Sequence, residues 1–188
     1  MNIYLLMMIF VLGGIFGWIY EVIFYYLNSH RKKVYMRGSN FLPFINIYSI
    51  GSVLLVLINY NFRKEPLIIF LLSVLITGVL ELFTGLVLDK VFHIRLWDYN
   101  KEILNFGNIN GYVCLRSVLI FGLGGLFLVC GVVPVLLLLK GELFNIISTI
   151  IFIIFIIDLL YNFIICKIFK TTNARNFYEK RGLKYLDF

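Results

Sequence analysis

Four ionisable side chains lie inside long apolar runs of this sequence, where a charge is costly. They are Glu21, Glu81, Arg116 and Asp158. A charged side chain near the centre of a bilayer costs roughly 2.5–3.5 kcal/mol, so such residues usually face the interior of a helix bundle and pair. Three carboxylates in such a place could bind a cation, a proton or an amine. The guanidinium of Arg116 could balance their charge or hold an anionic group.

Each of the three acids also has a small or polar residue four positions away. These neighbours are Gly17 for Glu21, Thr77 and Gly85 for Glu81, and Asn162 for Asp158. Residues four apart share one face of a helix. We therefore predict that all four charges point inward and form one shared polar layer on the cytoplasmic side of the membrane.

Three interpretations of this layer stay open at the level of the sequence. Arg116 could pair with Glu81 or Glu21 and simply fasten helices together. The acids could bind a ligand or conduct protons. The charges could also contact lipid headgroups.

The helices that position these residues follow from the composition. The chain has 188 residues, of which 61% are hydrophobic and 14% charged, whereas soluble domains carry roughly 25% charged residues. Crossing a bilayer takes about 20 apolar residues. We predict an all-α, polytopic transmembrane bundle of about five spans, with residues 1–166 as the membrane domain and 167–188 as a basic cytoplasmic tail. The predicted spans are residues 3–28, 44–61, 66–88, 111–139 and 143–166, and Pro134 is expected to kink or end the fourth.

The distribution of basic residues predicts the orientation. With five spans, 13 of the 17 Lys and Arg residues fall on one side of the membrane and three on the other. Because positively charged loops stay in the cytoplasm, we predict an outside N-terminus and a cytoplasmic C-terminus.

Two segments are predicted to contact the membrane surface. Trp97, Asp98 and Tyr99 mix aromatic and charged groups in the connection after the third span, which suits the headgroup region, and we include them among the candidate binding residues. The tail from Lys167 onward combines six basic residues with aromatic ones. Membrane lipids are its expected partner, although it could instead recruit a cytoplasmic protein.

Other chemistry is poorly represented in the sequence. No nucleophile elbow, zinc-protease helix or phosphate-binding loop occurs, and the cysteines Cys114, Cys130 and Cys166 have no metal-ligand spacing. We expect no enzymatic activity, no catalytic residues, no metal and no cofactor. Nucleic acid is not an expected partner, since no soluble fold is available to present a binding groove.

An ordered series of short motifs resembles the ABC-transporter permease family of small bacterial membrane proteins. The resemblance extends over about residues 8–135. The motifs are Gly17-Trp18 with Glu21, Arg37-Gly38 ahead of Pro43, Ile47-Tyr48, Leu80-Glu81, Thr84-Gly85, Trp97-Asp98-Tyr99, Asn110-Gly111, Cys114-Leu115-Arg116-Ser117 and Phe121-Gly122.

This resemblance implies a permease-like subunit in a bacterial cytoplasmic membrane. Since the chain has no nucleotide-binding motif, a separate ATPase subunit would have to supply the energy, and residues 89–110 are the best candidate to meet it. One copy is small for a full translocation path, so a homo- or hetero-oligomer is expected. The alternative function is a membrane adaptor or regulator that recruits a cytoplasmic partner through its basic loop and tail.

Overall fold

The chain is described by a computed structural model that covers residues 2–29, 41–93, 95–102 and 104–169. All regular structure in these ranges is helical, apart from one isolated bridge between Ile109 and Val113. The main helices are α1 (Ile3–Ser29), α2 (Asn46–Asn59), α3 (Pro66–Phe92), α4 (Leu115–Phe127), α5 (Val133–Leu138) and α6 (Glu142–Phe169). The all-α class is therefore confirmed.

Four helical stretches are long and apolar enough to cross a membrane. They are Ile3–Phe24, Pro66–Val91, Leu115–Leu138 and Glu142–Phe169, and they coincide with four of the five predicted spans. The remaining one corresponds to the shorter apolar stretch Asn46–Phe62. The count of five and the orientation of the termini stay predictions, and the tail from residue 170 onward lies outside the described residues, as does most of the basic segment before α2.

Local sequence explains where α3 begins and ends. Pro66 occupies its first turn, where a missing N–H is harmless and a fixed φ suits the helix. At the other end, His93 adopts the left-handed conformation with φ 55° and donates its N–H to the Leu88 carbonyl. This arrangement satisfies one of the unpaired carbonyls of the last turn.

Pro134 disturbs the fourth membrane-length stretch without ending it. A proline inside a helix lacks a donor and clashes with the carbonyl four residues earlier, here that of Cys130. The structure accommodates it with a π-helical segment, Leu128–Val132, between α4 and α5. The wider turn leaves space for the ring, and the helix continues to Leu138.

The chain divides into two compact units. The first contains residues 1–50 and 140–188, and its core is formed by Val11, Phe44 and Phe155. The Phe44 and Phe155 rings meet edge to face, with centroids 4.7 Å apart. In this unit α1 packs against α6.

The second unit contains residues 51–139, and α3 packs against α4 there. Glycines allow the close approach. A Cβ at Gly122 would come within 2.6 Å of Val74 and 2.8 Å of Phe70, and one at Gly125 would collide with Ser73. Small residues at such contacts let helices in lipid gain packing energy over a long interface.

Substitution Gly122→Ala should therefore destabilise the protein, because the added methyl group collides with Phe70 and Val74. Overpacking of a close contact costs roughly 1–3 kcal/mol. The matched control is Gly124→Ala, where a Cβ meets nothing within 4 Å. Thermal unfolding of the two variants in detergent would show a lower midpoint for Gly122→Ala alone. Equal midpoints would contradict the close packing of α3 and α4.

Candidate functional site

The carboxylate of Glu81 is the centre of the candidate site. It lies on α3 and is only 8% exposed. The Tyr99 hydroxyl donates a hydrogen bond to Oε1 at 2.6 Å, and Ser117 Oγ lies 3.0 Å from Oε2. Glu81 thus joins α3 to the first turn of α4 and to the connection between the two helices.

Ser117 has two acceptors within reach of its single proton. Its Oγ lies 2.9 Å from the Cys114 carbonyl oxygen as well as 3.0 Å from Glu81. A hydroxyl donates only one proton, so Ser117 can bond either the carboxylate or the backbone. The bond to Glu81 is therefore easily exchanged.

Asp98 shapes the turn that delivers Tyr99 to Glu81. Its side chain accepts from the backbone N–H of Asn100 at 3.2 Å and forms an ion pair with Arg95 at 3.1 Å. Tyr99 in turn donates its backbone N–H to the Gly111 carbonyl at 3.1 Å. The short helical turn Tyr99–Lys101 is therefore capped at its start by Asp98.

The Asn110-Gly111 pair forms the other half of this folded connection. Gly111 has φ +77°, and a Cβ there would collide with Arg95 and Asp98. The Asn110 carbonyl accepts from Arg95 at 2.6 Å. Since only glycine adopts such a conformation without strain and leaves room for these side chains, the motif is required by the fold of the connection.

Trp97 and Tyr112 also join the segment around Tyr99 to the segment around the Asn110-Gly111 pair. The Trp97 indole N–H donates to the Tyr112 carbonyl at 2.8 Å, and the Arg95 guanidinium lies over the Tyr112 ring, 5.1 Å from its centroid. The Tyr112 hydroxyl donates to Asp89, near the end of α3. These contacts make the connection one ordered element anchored to α3.

The environment keeps both tyrosine hydroxyls protonated. Burial raises the pKa of Tyr99, and the negative charge of Glu81 raises it further. The hydrogen bond to Asp89 raises the pKa of Tyr112, with burial as a smaller cause. Both phenols therefore act as donors to carboxylates throughout the physiological range.

Arg116 pairs with Glu102, and their side chains are 15% and 17% exposed. Glu102 follows Tyr99 by three residues, so the connection is fastened to α3 through Tyr99 and to α4 through Glu102. The sequence analysis did not select Glu102, and it named Ser117 as part of a family motif but not as a candidate site residue. Glu102 lies outside the apolar runs, and a serine is too common in helices to be selected by its type alone.

The predicted residues of the first unit have different partners. Glu21 accepts from the Tyr48 hydroxyl at 3.1 Å. Asp158 accepts from the backbone N–H groups of Phe41 and Leu42, each at 3.2 Å, and from the Asn162 amide at 2.8 Å. Asp158 thereby holds the segment that precedes α2.

The structure thus brings Glu81, Trp97, Asp98, Tyr99 and Arg116 into one region of the second unit, whereas Glu21 and Asp158 belong to the first. A polar layer shared by all four charged residues of the spans stays a prediction.

Membrane-length apolar helices that contain buried, hydrogen-bonded carboxylates define a polytopic membrane protein. A family model described as "Putative ABC-transporter type IV" matches residues 8–163, and the chain belongs to this family. The predicted resemblance is therefore confirmed, and it extends further towards the C-terminus than the motifs indicated. No curated protein and no solved structure matches the chain.

Substitution Tyr99→Phe should loosen the connection from α3, because it removes one donor from the buried Glu81 carboxylate. Loss of a partner from a buried acceptor costs roughly 1–3 kcal/mol. Limited proteolysis between residues 93 and 114 should become faster, and the unfolding midpoint should fall. The control is Tyr26→Phe, at a side chain 68% exposed, which should change neither. If the two variants behave alike, Tyr99 does not fasten the connection.

Proposed function

We propose that this chain is a permease-like membrane subunit of an ABC-type transporter, with its polar intramembrane site at Glu81. One observation carries the proposal. A buried carboxylate in an apolar helix accepts from Tyr99 of the connection and from Ser117 of α4. Ionisable residues retained in membrane-spanning helices are functional candidates by default.

The chemistry of the site favours a positively charged cargo. Glu81 would bind a cation, a proton or an amine. Ser117 can turn its hydroxyl proton from Glu81 Oε2 to the Cys114 carbonyl oxygen, and a cargo could then replace Ser117 at Oε2. The Arg116–Glu102 ion pair lies beside the site, and its two opposite charges cancel, so it leaves the net charge there unchanged. Glu21 and Asp158 are proposed as further members of the polar layer.

The ordered connection is proposed to meet a separate ATPase subunit. It carries exposed groups of two kinds, the basic Lys101 and the apolar Leu104 and Phe106. With five spans, an outside N-terminus and a cytoplasmic C-terminus, this element faces the cytoplasm of a bacterial cell. In this arrangement the ATPase hydrolyses ATP, the present chain performs no reaction of its own, and a homo- or hetero-oligomer completes the path.

Substitution Glu81→Gln should abolish transport at unchanged protein level, because the amide keeps the shape of the side chain but not its charge. Transport would be measured as the uptake of methylamine, Na+ and protons into ATP-loaded membrane vesicles. The control is Glu65→Gln, at an exposed acid just before α3. If Glu81→Gln lowers only the abundance of the protein, Glu81 fastens helices and the proposed site is wrong.

The second candidate function is a membrane adaptor, favoured by the clustering of six basic residues with aromatic ones from Lys167 onward. Deletion from Thr171 separates the two functions. A permease should keep its uptake and its co-purifying ATPase, whereas an adaptor should lose its cytoplasmic partner. Purification of tagged full-length and truncated proteins from native membranes, followed by identification of what co-purifies, makes the measurement.

A further inference from the structure

Three polar residues follow one another along the buried face of α3. Ser73, Thr77 and Glu81 are spaced four apart, and all three are buried. At a rise of 1.5 Å per residue, Ser73 and Glu81 lie about 12 Å apart along the helix axis. Polar groups therefore occupy two successive turns within a membrane-length helix, on the face that contacts α4.

Two fully buried side-chain oxygen atoms of the second unit, one on α3 and one on α2, have no hydrogen-bond partner within the described part of the chain. They are Ser73 Oγ and Asn59 Oδ1. Thr77 differs, since it donates to the Ser73 backbone carbonyl at 2.8 Å. A buried polar group without a partner costs roughly 1–3 kcal/mol, so its presence in an apolar interior requires a reason.

The two unpartnered groups belong to the same region of the second unit. Ser73 Oγ points at Gly125 of α4, where an added Cβ would collide with it, and the Leu55 side chain would lie 3.5 Å from that Cβ. Asn59 follows Leu55 by one turn on α2 and donates its amide to the Leu55 carbonyl at 2.9 Å. The amide oxygen of Asn59 is therefore left to accept from another group.

We propose that Asn59, Ser73, Thr77 and Glu81 form a hydrated polar track through the second unit, which carries a small monovalent cation to the Glu81 carboxylate. The track deepens the proposed function, because it names the cargo class of the same site. Hydroxyl, amide and carboxylate oxygens are the ligands that hard cations prefer. Water bridges would satisfy Ser73 Oγ and Asn59 Oδ1, since buried waters typically bond such groups.

The glycines of α4 bring its backbone into direct contact with this face of α3. Gly125 places backbone, and no side chain, against Ser73, and Gly122 packs one turn away. A side chain at Gly125 would collide with the Ser73 hydroxyl, and one at Gly122 would collide with Val74 and Phe70, so neither position offers Ser73 Oγ a side-chain partner.

Access of silver ions to introduced cysteines tests the track directly. Ser73→Cys and Thr77→Cys would be made in the full chain after Cys114, Cys130 and Cys166 are replaced by alanine. The control is Leu75→Cys, on the same helix at a side chain 62% exposed on the outside of the protein. After silver treatment of native membranes, the protein is denatured and the remaining thiols are labelled with maleimide.

Both track cysteines should be blocked at least about tenfold faster than the Leu75→Cys thiol, because the thiolate that binds metal does not form in hydrocarbon. Blocking slowed by Na+ relative to choline would identify a metal cation as cargo, and blocking unchanged by Na+ would overturn a metal-cation cargo. Equal, slow blocking at all three positions would overturn the track.

The outcomes for the track and for the transporter are distinguishable. If Ser73→Cys is protected while Glu81→Gln still abolishes uptake, the track is wrong and the proposed site stands. If the track cysteines react while Glu81→Gln has no effect on uptake, water enters the second unit and the transport proposal fails.

Discussion

The hydrogen-bonded carboxylate of Glu81 is the constraint on which the second unit depends. An acid within an apolar helix must receive its donors from the protein, because the membrane interior supplies none. Those donors are Tyr99 and Ser117. Tyr99 reaches Glu81 only if the polypeptide turns back over the end of α3, and Asp98 and Gly111 produce that turn. The buried carboxylate thus accounts for the position of Tyr99, around which the other contacts of the connection are arranged.

In the first unit, carboxylates on long helices also accept hydrogen bonds from segments outside those helices. Glu21 also accepts from a tyrosine that follows it in the chain, Tyr48, and Gly17 makes room for the tyrosine ring. Asp158 receives backbone N–H groups from residues 41 and 42. In each unit, a carboxylate on a long helix fixes the path of a segment outside that helix. Such acids specify the conformation of their connections, a role that simple pairing of opposite charges between helices does not provide.

The sequence alone predicted the membrane-length helices and most residues of the candidate site, but it did not predict which of these residues contact one another. Length and hydropathy located the four membrane-length stretches within a few residues, since these depend only on local composition. The partner of Arg116 could not be inferred, because it depends on the path of the connection. Leu104 and Asn110 adopt positive φ values in the connection. The pattern of hydrophobic residues does not predict that a leucine adopts this backbone conformation. Ser117 stands in a family motif but was not selected as a site residue, since its contact with Glu81 appears only once α4 is packed against α3.

Fastening and cargo binding need not exclude each other at Glu81, because the two carboxylate oxygens have different partners. Oε1 accepts the short bond from Tyr99, whose raised pKa keeps it a donor. Oε2 receives Ser117, which has the Cys114 carbonyl at 2.9 Å as an alternative acceptor. If Ser117 turns to the backbone, Oε2 loses that donor while the bond to Tyr99 still holds the connection. In the proposed track, a cation that approaches along α3 from Thr77 would replace the Ser117 donor at Oε2, while the bond from Tyr99 keeps the carboxylate in position.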